Sequence, residues 1–190
     1  MEKKYITFLN KTTSAYDLLE YLAKQPDFDL KLPINIEEII KYLNIKLNKN
    51  PNFQKIKLDG MISVKNKEPE IWINPMKTQL EGRIRFTLAH ELGHFMLHIA
   101  PENNLEKERS IEDDEVSYNR DDNWNHIEME ANNFASQLLM PSSMITDETK
   151  KLLNKNPNLS KDEIIENLAS IFNVSKLAIK YRLQKMGVNI

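Results

Sequence analysis

Apolar side chains recur at three- and four-residue spacing in several stretches of this 190-residue chain, and each such stretch predicts a helix. The longest stripe consists of Leu80, Ile84, Leu88, Leu92, Phe95 and Ile99. The other side of the same predicted helix also carries apolar residues, Phe86 and Leu97. A helix that is apolar on two sides is expected to be buried between layers of structure.

The pattern before this helix predicts two amphipathic helices, at 14–24 and 34–43, followed by strands. Residues 56–58 and 61–64 flank Asp59-Gly60, a dipeptide that is typical of a two-residue hairpin turn. Residues 70–74 predict a third strand. We therefore expect an α+β fold with a small antiparallel sheet beside the buried helix.

The pattern after it predicts further helices. One stripe consists of Ile127, Ala131, Phe134, Leu138 and Leu139, and Met140-Pro141 closes it. Ser160 and Glu163 have the spacing of a capping box that opens a second helix. Ser175 is a candidate cap for a last helix, which is expected to stop at Gly187.

The buried helix carries the most informative motif, His90-Glu91-Leu92-Gly93-His94. Residues four apart lie on one helix face, so both imidazoles can reach one metal ion. Glu91 sits where its carboxylate can touch a metal-bound water, an arrangement that suits zinc hydrolysis. The alternative is that both histidines are hydrogen-bonded core residues.

Two neighbours refine this interpretation. Gly93 costs a helix about 1 kcal/mol relative to alanine, which implies a close neighbour on that side. His98 continues the four-residue series, but it lies about 12 Å along the axis from His90, too far to share one ion with it. We therefore expect His98 to pack or to donate a hydrogen bond to a ligand.

A third ligand is expected from the helix at residues 127–139. Both Glu128 and Glu130 border its apolar stripe, and periodicity does not separate them. By projected angle Glu128 is marginally closer to the stripe. From the residues alone both remain candidates.

Extended motifs surround this site: Arg83-Ile84-Arg85-Phe86-Thr87-Leu88-Ala89-His90-Glu91-Leu92-Gly93-His94, Glu130-Ala131-Asn132-Asn133-Phe134-Ala135 and Leu138-Leu139-Met140-Pro141. With Asp59-Gly60, Ile73-Asn74 and Phe172-Asn173-Val174-Ser175, they resemble the ImmA/IrrE family of zinc-dependent metallopeptidases.

The resemblance implies a zincin-like peptidase domain over 1–141, with a helix-turn-helix-like extension over 142–190 packed on it. It further implies Zn²⁺ held by His90, His94 and Glu130, with Glu91 as general base and proton donor. The expected substrate of such an endopeptidase is a helix-turn-helix transcriptional repressor, which makes the protein an anti-repressor.

Composition agrees with that expectation. The chain has no cysteine, which leaves nitrogen and oxygen atoms as metal ligands, and its net charge of -2 gives no global attraction to nucleic acid. The N-terminus lacks the apolar run of a signal peptide, and no segment approaches a membrane span. We expect a cytoplasmic protein with no membrane partner.

Residues 101–125 contain nine acidic and three basic side chains, a local net charge of -6. A flexible solvated loop is the simpler interpretation. The functional alternatives are a lid over the cleft or an acidic surface for a basic partner. The small sheet is similarly open to two interpretations, since its edge strand could hold a substrate peptide or the sheet could be a plain core layer.

Two rival functions remain. The C-terminal helix pair could bind DNA, because its second helix carries Lys176, Lys180, Arg182 and Lys185. Its apolar residues leave little free recognition face, so direct nucleic-acid binding is not the expectation. The other rival is a catalytically silent zinc-containing binding module.

Overall fold

A computed structural model describes residues 3–77, 80–102, 105, 108–114 and 122–188. Within them the helices are α1 (Ala15–Ala23), α2 (Ile36–Tyr42), α3 (Glu81–His94), α4 (Asp122–Leu139), α5 (Ser142–Lys155), α6 (Lys161–Phe172) and α7 (Lys176–Lys185). The strands are β1 (Lys46–Asn48), β2 (Leu58–Lys65), β3 (Glu68–Ile73) and β4 (Arg109–Asp114). The α+β class is confirmed.

The sheet has the strand order β1-β3-β2-β4 and is mixed. Strand β2 runs antiparallel to both β3 and β4, whereas β1 pairs with β3 in parallel, with Leu47 opposite Ile71. The expectation of a purely antiparallel sheet is therefore wrong for one pair. Strand β1 has only three residues, Lys-Leu-Asn, which is too short for an alternating pattern to reveal it.

The predicted hairpin at Asp59-Gly60 is also wrong, because both residues lie inside β2. The chain reverses instead at Asn66-Lys67, whose φ values are 52° and 64°. Lys65 and Glu68 are paired on either side, so this is a two-residue turn with both central residues left-handed. Asn66 is the residue from which this turn could have been predicted, since asparagine tolerates the left-handed conformation.

Part of the predicted acidic loop is a strand. Residues 109–114 form β4, which pairs with β2 and places Ile111 opposite Ile62. Its sequence is mostly polar because it lies at one end of the strand order, where few side chains meet the core. Residues 103–104, 106–107 and 115–121 of this segment lie outside the described residues, so the alternative of a lid over the cleft stays a prediction.

Helix α3 is buried as predicted, with every residue from Thr87 to His94 nearly inaccessible to solvent. It packs on the sheet through β2 and β3 and on α4 at its other side. Leu80 departs from the predicted stripe, since it is 73% exposed at the start of the helix. A turn of π-helix (Phe95–Ile99) continues α3.

Gly93 explains how closely α3 and α4 approach. A Cβ atom at Gly93 would lie 3.1 Å from Cδ1 of Phe134 and 3.2 Å from the carbonyl oxygen of Ala131. The close neighbour expected from the sequence is confirmed, and it is α4. This crossing sets which side chains of the two helices can meet.

The C-terminal helices share the apolar core of the preceding elements, through residues such as Ile145, Leu168 and Phe172. The capping box of Ser160 and Glu163 and the cap at Ser175 are both present. The guanidinium of Arg85 is buried and donates to the carbonyl oxygens of Phe172 (3.0 Å) and Ile34 (2.8 Å). Helix α3 is thereby tied to the C-terminal helices.

Candidate metal centre

His90 and His94 lie on one face of α3, as their spacing predicts. Their Nε2 atoms are 2.9 Å apart, and the two residues are 3% and 0% exposed. At this distance two nitrogen lone pairs repel each other unless a proton or a cation lies between them. The pair can therefore share either a proton, as a hydrogen bond, or a cation.

The carboxylate that faces this pair belongs to Glu128 on α4. Its Oε2 atom is 3.2 Å from Nε2 of His90, and its Oε1 atom is 3.3 Å from Nε2 of His94. One ligand atom from each of the three residues lies within 4.8 Å of the others. The close crossing at Gly93 places this part of α4 above the two imidazoles.

The structure does not bring Glu130, the third ligand expected from the family resemblance, to this histidine pair. The Oε2 atom of Glu130 lies 3.3 Å from Nδ1 of His126 and 3.8 Å from Nε2 of His98. Residues two apart on a helix point about 200° apart, so Glu128 and Glu130 cannot both face the same histidine pair. The projected angle from the sequence favoured the carboxylate that the structure brings there.

Burial and neighbouring side chains set the protonation states of His94 and Glu128. Burial lowers the pKa of His94 to about 4, so this imidazole is neutral near pH 7. Burial alone would raise the pKa of Glu128, but the neighbouring imidazoles of His90 and His94 outweigh it and hold that pKa at about 2. A neutral imidazole and an ionised carboxylate are the forms that bind metals.

His90 is oriented by Asn132, whose Oδ1 atom is 3.1 Å from Nδ1 of the imidazole. When Nδ1–H donates to this oxygen, Nε2 keeps its lone pair toward Glu128. Asn132 follows Glu128 by four residues and therefore shares its face of α4. The sequence did not single out Asn132 for this role, although it lies in the quoted motif.

The three side chains fit a zinc ion. Tetrahedral zinc with ligands at about 2.0–2.1 Å separates neighbouring ligand atoms by roughly 3.3 Å. The separations here are 2.9 Å between the two Nε2 atoms and 3.2 and 3.3 Å from these atoms to the carboxylate oxygens of Glu128. Oε1 of Glu128 is buried with no hydrogen-bond partner among the described residues, and a bound ion would provide it with a partner.

Glu91 is fully buried beside these ligands, and Gly60 makes room for it. A Cβ atom at Gly60 would lie 2.6 Å from Oε1 of Glu91 and 2.7 Å from Cγ2 of Thr87. No real Cβ sits so close, so only glycine fits there without a shift of the wall. Gly60 is therefore needed for space beside Glu91, rather than for the turn that the sequence suggested.

The strand carrying Gly60 is held in place from both sides. The buried amide of Asn74 donates to the carbonyl oxygen of Leu58 over 2.9 Å. Asp59, whose side chain is 12% exposed, accepts from Arg83 at 3.2 Å and pairs with Lys77 at 3.4 Å. These contacts fix β2 against α3.

His98 lies one turn beyond His94, with ring centroids 5.6 Å apart. Its Nε2 atom has no hydrogen-bond partner among the described residues and does not reach the His90–His94 pair. The packing role expected of His98 agrees with its side-chain exposure of 15%. A donor role toward a ligand is not seen in the described part of the chain.

The family model described as the IrrE N-terminal-like domain, a peptidase family, matches residues 40–184. The chain belongs to the IrrE N-terminal-like peptidase family. The match includes α3, α4 and the three clustered side chains, and it continues past residue 141 through most of α7. It supports a metallopeptidase-like domain, while the predicted domain boundary at 141 stays a prediction. No curated protein matches the chain.

Within the described residues of this IrrE-like peptidase domain, no helix combines the length and apolar character needed to cross a membrane.

Proposed function

We propose that this protein is a zinc-dependent endopeptidase in which His90, His94 and Glu128 hold the ion and Glu91 transfers protons. The observation that carries the proposal is the buried triad, with donor atoms 2.9–3.3 Å apart, directly beside a buried carboxylate. Membership of a peptidase family supports the reaction class.

Zinc, when bound, polarises the scissile carbonyl and makes a water molecule acidic enough to attack near neutral pH. Glu91 accepts the proton of the attacking water and later donates it to the leaving amine. The wall formed by β2 at Gly60 keeps this carboxylate on the site side of α3. Asn132 holds the His90 ring in its binding orientation.

Strand β4 offers a way to present a peptide. It lies at the end of the strand order, and β2, its neighbour, forms the wall beside Glu91. An extended segment can add to such an edge through backbone hydrogen bonds. We propose that the scissile segment approaches along this side of the sheet.

The proposed substrate is a helix-turn-helix transcriptional repressor, so that cleavage would make the protein an anti-repressor in the cytoplasm. This step rests on the family resemblance and on charge. The acidic 101–125 segment has a net charge of -6 by sequence, which favours a basic partner such as a DNA-binding protein. Nothing in the proposal requires the protein to bind DNA itself.

The DNA-binding alternative is weakened by how the basic residues of α7 are used. Lys176 lies 2.6 Å from Glu166, and Lys180 lies 3.6 Å from Asp162, both acids of α6. Arg182 donates to the carbonyl oxygen of Met140 over 2.9 Å. Cations already engaged within the protein neutralise fewer phosphates, so we expect no tight duplex binding at physiological salt.

The decisive experiment compares wild type with Glu91→Gln. The amide keeps the shape of Glu91 but removes its basicity, so zinc content should stay normal while cleavage falls by about 10²–10⁴-fold. Zinc is measured on the purified protein, and cleavage is followed with a repressor encoded beside the gene. Wild-type cleavage by Glu91→Gln would place the base elsewhere.

The rivals give different outcomes in the same preparations. A silent zinc module would keep its zinc and cleave nothing in either form. A DNA-binding regulator would give sequence-specific gel shifts that survive Glu91→Gln, with no cleavage of the neighbouring repressor.

A further inference from the structure

We infer that an apolar cavity beside the metal centre receives one large aliphatic or aromatic side chain of the substrate, close to the scissile bond. The cavity has a volume of about 400 Å³ and lies between the start of α3, the end of α4 and the start of α7. Its apolar walls come from Leu80, Phe86, Leu139, Met140, Val174 and Ala178. The inference rests on the proposed peptidase function, because it assigns a specificity pocket to that site.

The cavity lies on the same face of the α3–α4 pair as the metal centre. Phe86 precedes His90 by one helical turn, and the centroids of the two rings are 6.5 Å apart. On α4, Leu139 follows Asn132, the partner of His90, by seven residues, which is about two turns and therefore the same face. One turn rises about 5.4 Å, less than two residues of an extended peptide. A side chain in the cavity therefore belongs to a residue close to the bond at the metal.

Arg83 connects the cavity to the wall beside Glu91. Its side chain lines the cavity, and its guanidinium donates to the carboxylate of Asp59 over 3.2 Å. Asp59 directly precedes Gly60, whose missing side chain leaves room for Glu91. One ion pair thus joins the wall of the cavity to the wall of the candidate active site.

Polar contacts fix the three walls of the cavity against one another. Arg182 of α7 donates to the carbonyl oxygen of Met140 over 2.9 Å, which holds α7 against the end of α4. Asn173, just before α7, donates to the carboxylate of Glu81 at the start of α3 over 2.7 Å. A cavity with fixed walls loses less free energy to ordering when it is filled, and it discriminates between side chains by their size.

The chemistry of the walls sets the class of side chain. A charged group would lose its hydration among these walls, and the guanidinium of Arg83 is already paired with Asp59. Leucine, methionine or phenylalanine would bury apolar surface there, including that of Leu80, which is 73% exposed. Glycine or alanine would leave most of the cavity unfilled.

The first test measures binding and needs no catalysis. N-acetyl-leucine methylamide is added as a probe to the full-length protein, and the NMR signals of isotope-labelled methyl groups are followed. The signals of Leu139, Met140 and Val174 should shift and saturate, whereas N-acetyl-aspartate methylamide should leave them unchanged. Ala178→Leu places a branched side chain inside the cavity and should abolish the shift.

The second test measures cleavage of the repressor encoded beside the gene. Ala178→Leu should lower kcat/KM by at least about tenfold, because the filled cavity no longer accepts the substrate side chain, while zinc content stays at the wild-type level. Val174→Ala widens the cavity, so it should shift the preference in a peptide mixture from leucine towards phenylalanine and tryptophan.

The matched control is Gln184→Leu, which adds the same side chain at an exposed position of α7 outside the cavity. It should bind the leucine probe and cleave the repressor as wild type does. Thermal unfolding checks that each variant is folded. If Ala178→Leu does not fold, the preference of Val174→Ala decides, and an unchanged preference would overturn the inference.

Two further results would overturn it. The leucine probe could shift none of these methyl signals in wild type, or Ala178→Leu could bind the probe or cleave the repressor as well as wild type. Failure of the proposed peptidase function has a different signature: the probe would bind to wild type and not to Ala178→Leu, with no zinc-dependent cleavage by either. The cavity would then stand as a site for an apolar side chain, and the peptidase assignment would fall.

Discussion

Two sets of two histidines and one glutamate lie on α3, α4 and the turn after α3, and they differ in burial and in spacing. In the inner set the side chains of His90, His94 and Glu128 are 4%, 0% and 17% exposed. The outer set consists of His98, His126 and Glu130, with exposures of 15%, 60% and 42%. Among the described residues only the inner set brings one ligand atom from each residue within 4.8 Å of the others. Contacts between ligand atoms are 2.9–3.3 Å in the inner set, and those of Glu130 with the two outer histidines are 3.3 and 3.8 Å.

The difference arises where the helices approach most closely. At Gly93 the two helices come so close that a Cβ atom would lie 3.1–3.2 Å from α4, and the side chains beside this point are held by their surroundings. Farther out, His126 and Glu130 face solvent. Residue type and spacing therefore define candidate ligands, whereas the distance between the helices decides which candidates are preorganised.

The largest predicted change is a difference in zinc affinity between variants of Glu128 and of Glu130. Glu128→Ala removes an inner ligand, so tight zinc binding should weaken by more than the roughly 10–100-fold that loss of an outer-shell partner costs. Glu130→Ala should leave that tight binding near wild type. Chelator competition measures both, and a reversed order would restore Glu130 as the third ligand.

The second prediction is that the inner residues, and not the outer ones, make the folding stability of the metal-free protein depend on acidic pH. In the folded protein the pKa of His94 is lowered from 6.5 to about 4, so below pH 6.5 the unfolded chain binds more protons than the folded one. The metal-free protein should therefore lose stability as the pH falls from 6.5 to 4, by at most about 3 kcal/mol from this residue. Glu128 adds its own loss of stability between pH 4.5 and 2, a range that overlaps the lower end of the first, because its pKa is lowered too.

Urea unfolding in the presence of a chelator at pH 6.5 and pH 4.5 measures this loss. His94→Gln should flatten the dependence on pH, while His126→Gln, which alters a side chain that is 60% exposed, should preserve it. Equal slopes in wild type and His94→Gln would show that burial of His94 does not govern acid stability.

The sequence predicted those features that depend on the pattern of residues along a single helix. The motif on α3, its burial and the close neighbour at Gly93 are all readable from residue types at helical spacing. The third ligand could not be identified in this way. Glu128 and Glu130 differ only in their direction around the axis of α4, and the histidines that they would join lie on α3. The resemblance then pointed to Glu130, which the structure places against His98 and His126.

The sheet shows a different limit of prediction from the sequence. Asp59-Gly60 has the sequence of a hairpin turn, yet Gly60 is required because the carboxylate of Glu91 fills the space of its missing side chain. A local pattern cannot distinguish glycine chosen for a turn from glycine chosen for a distant neighbour. The polar strand β4 was missed for a related reason, since its pairing with β2 is long-range.

Gly60→Ala tests whether the inner set needs this wall. The added methyl group would lie 2.6 Å from Oε1 of Glu91, so Glu91 or β2 must shift, at a cost of about 1–3 kcal/mol in stability. We expect peptidase activity to fall while zinc is retained, because the ligands are not touched. Gly82→Ala is the control, since its Cβ would meet only Asn173 O at 3.9 Å. Loss of zinc from Gly60→Ala would mean that the wall supports the ligands as well.

The smallest expected effect concerns Asn132, the hydrogen-bond partner that distinguishes His90 from the histidines of the outer set. Asn132→Ala removes the oxygen that lies 3.1 Å from Nδ1 of His90, so the ring can rotate and zinc affinity should fall by about 10–100-fold. Asn133→Ala, the neighbouring change on the same helix, should leave affinity unchanged, because Asn133 faces away from His90 when Asn132 faces it. Both are measured by the same chelator competition, with thermal unfolding as a check on folding. Equal affinities in the two variants would mean that packing alone orients His90, and the inner set would then owe its order to burial rather than to a hydrogen bond.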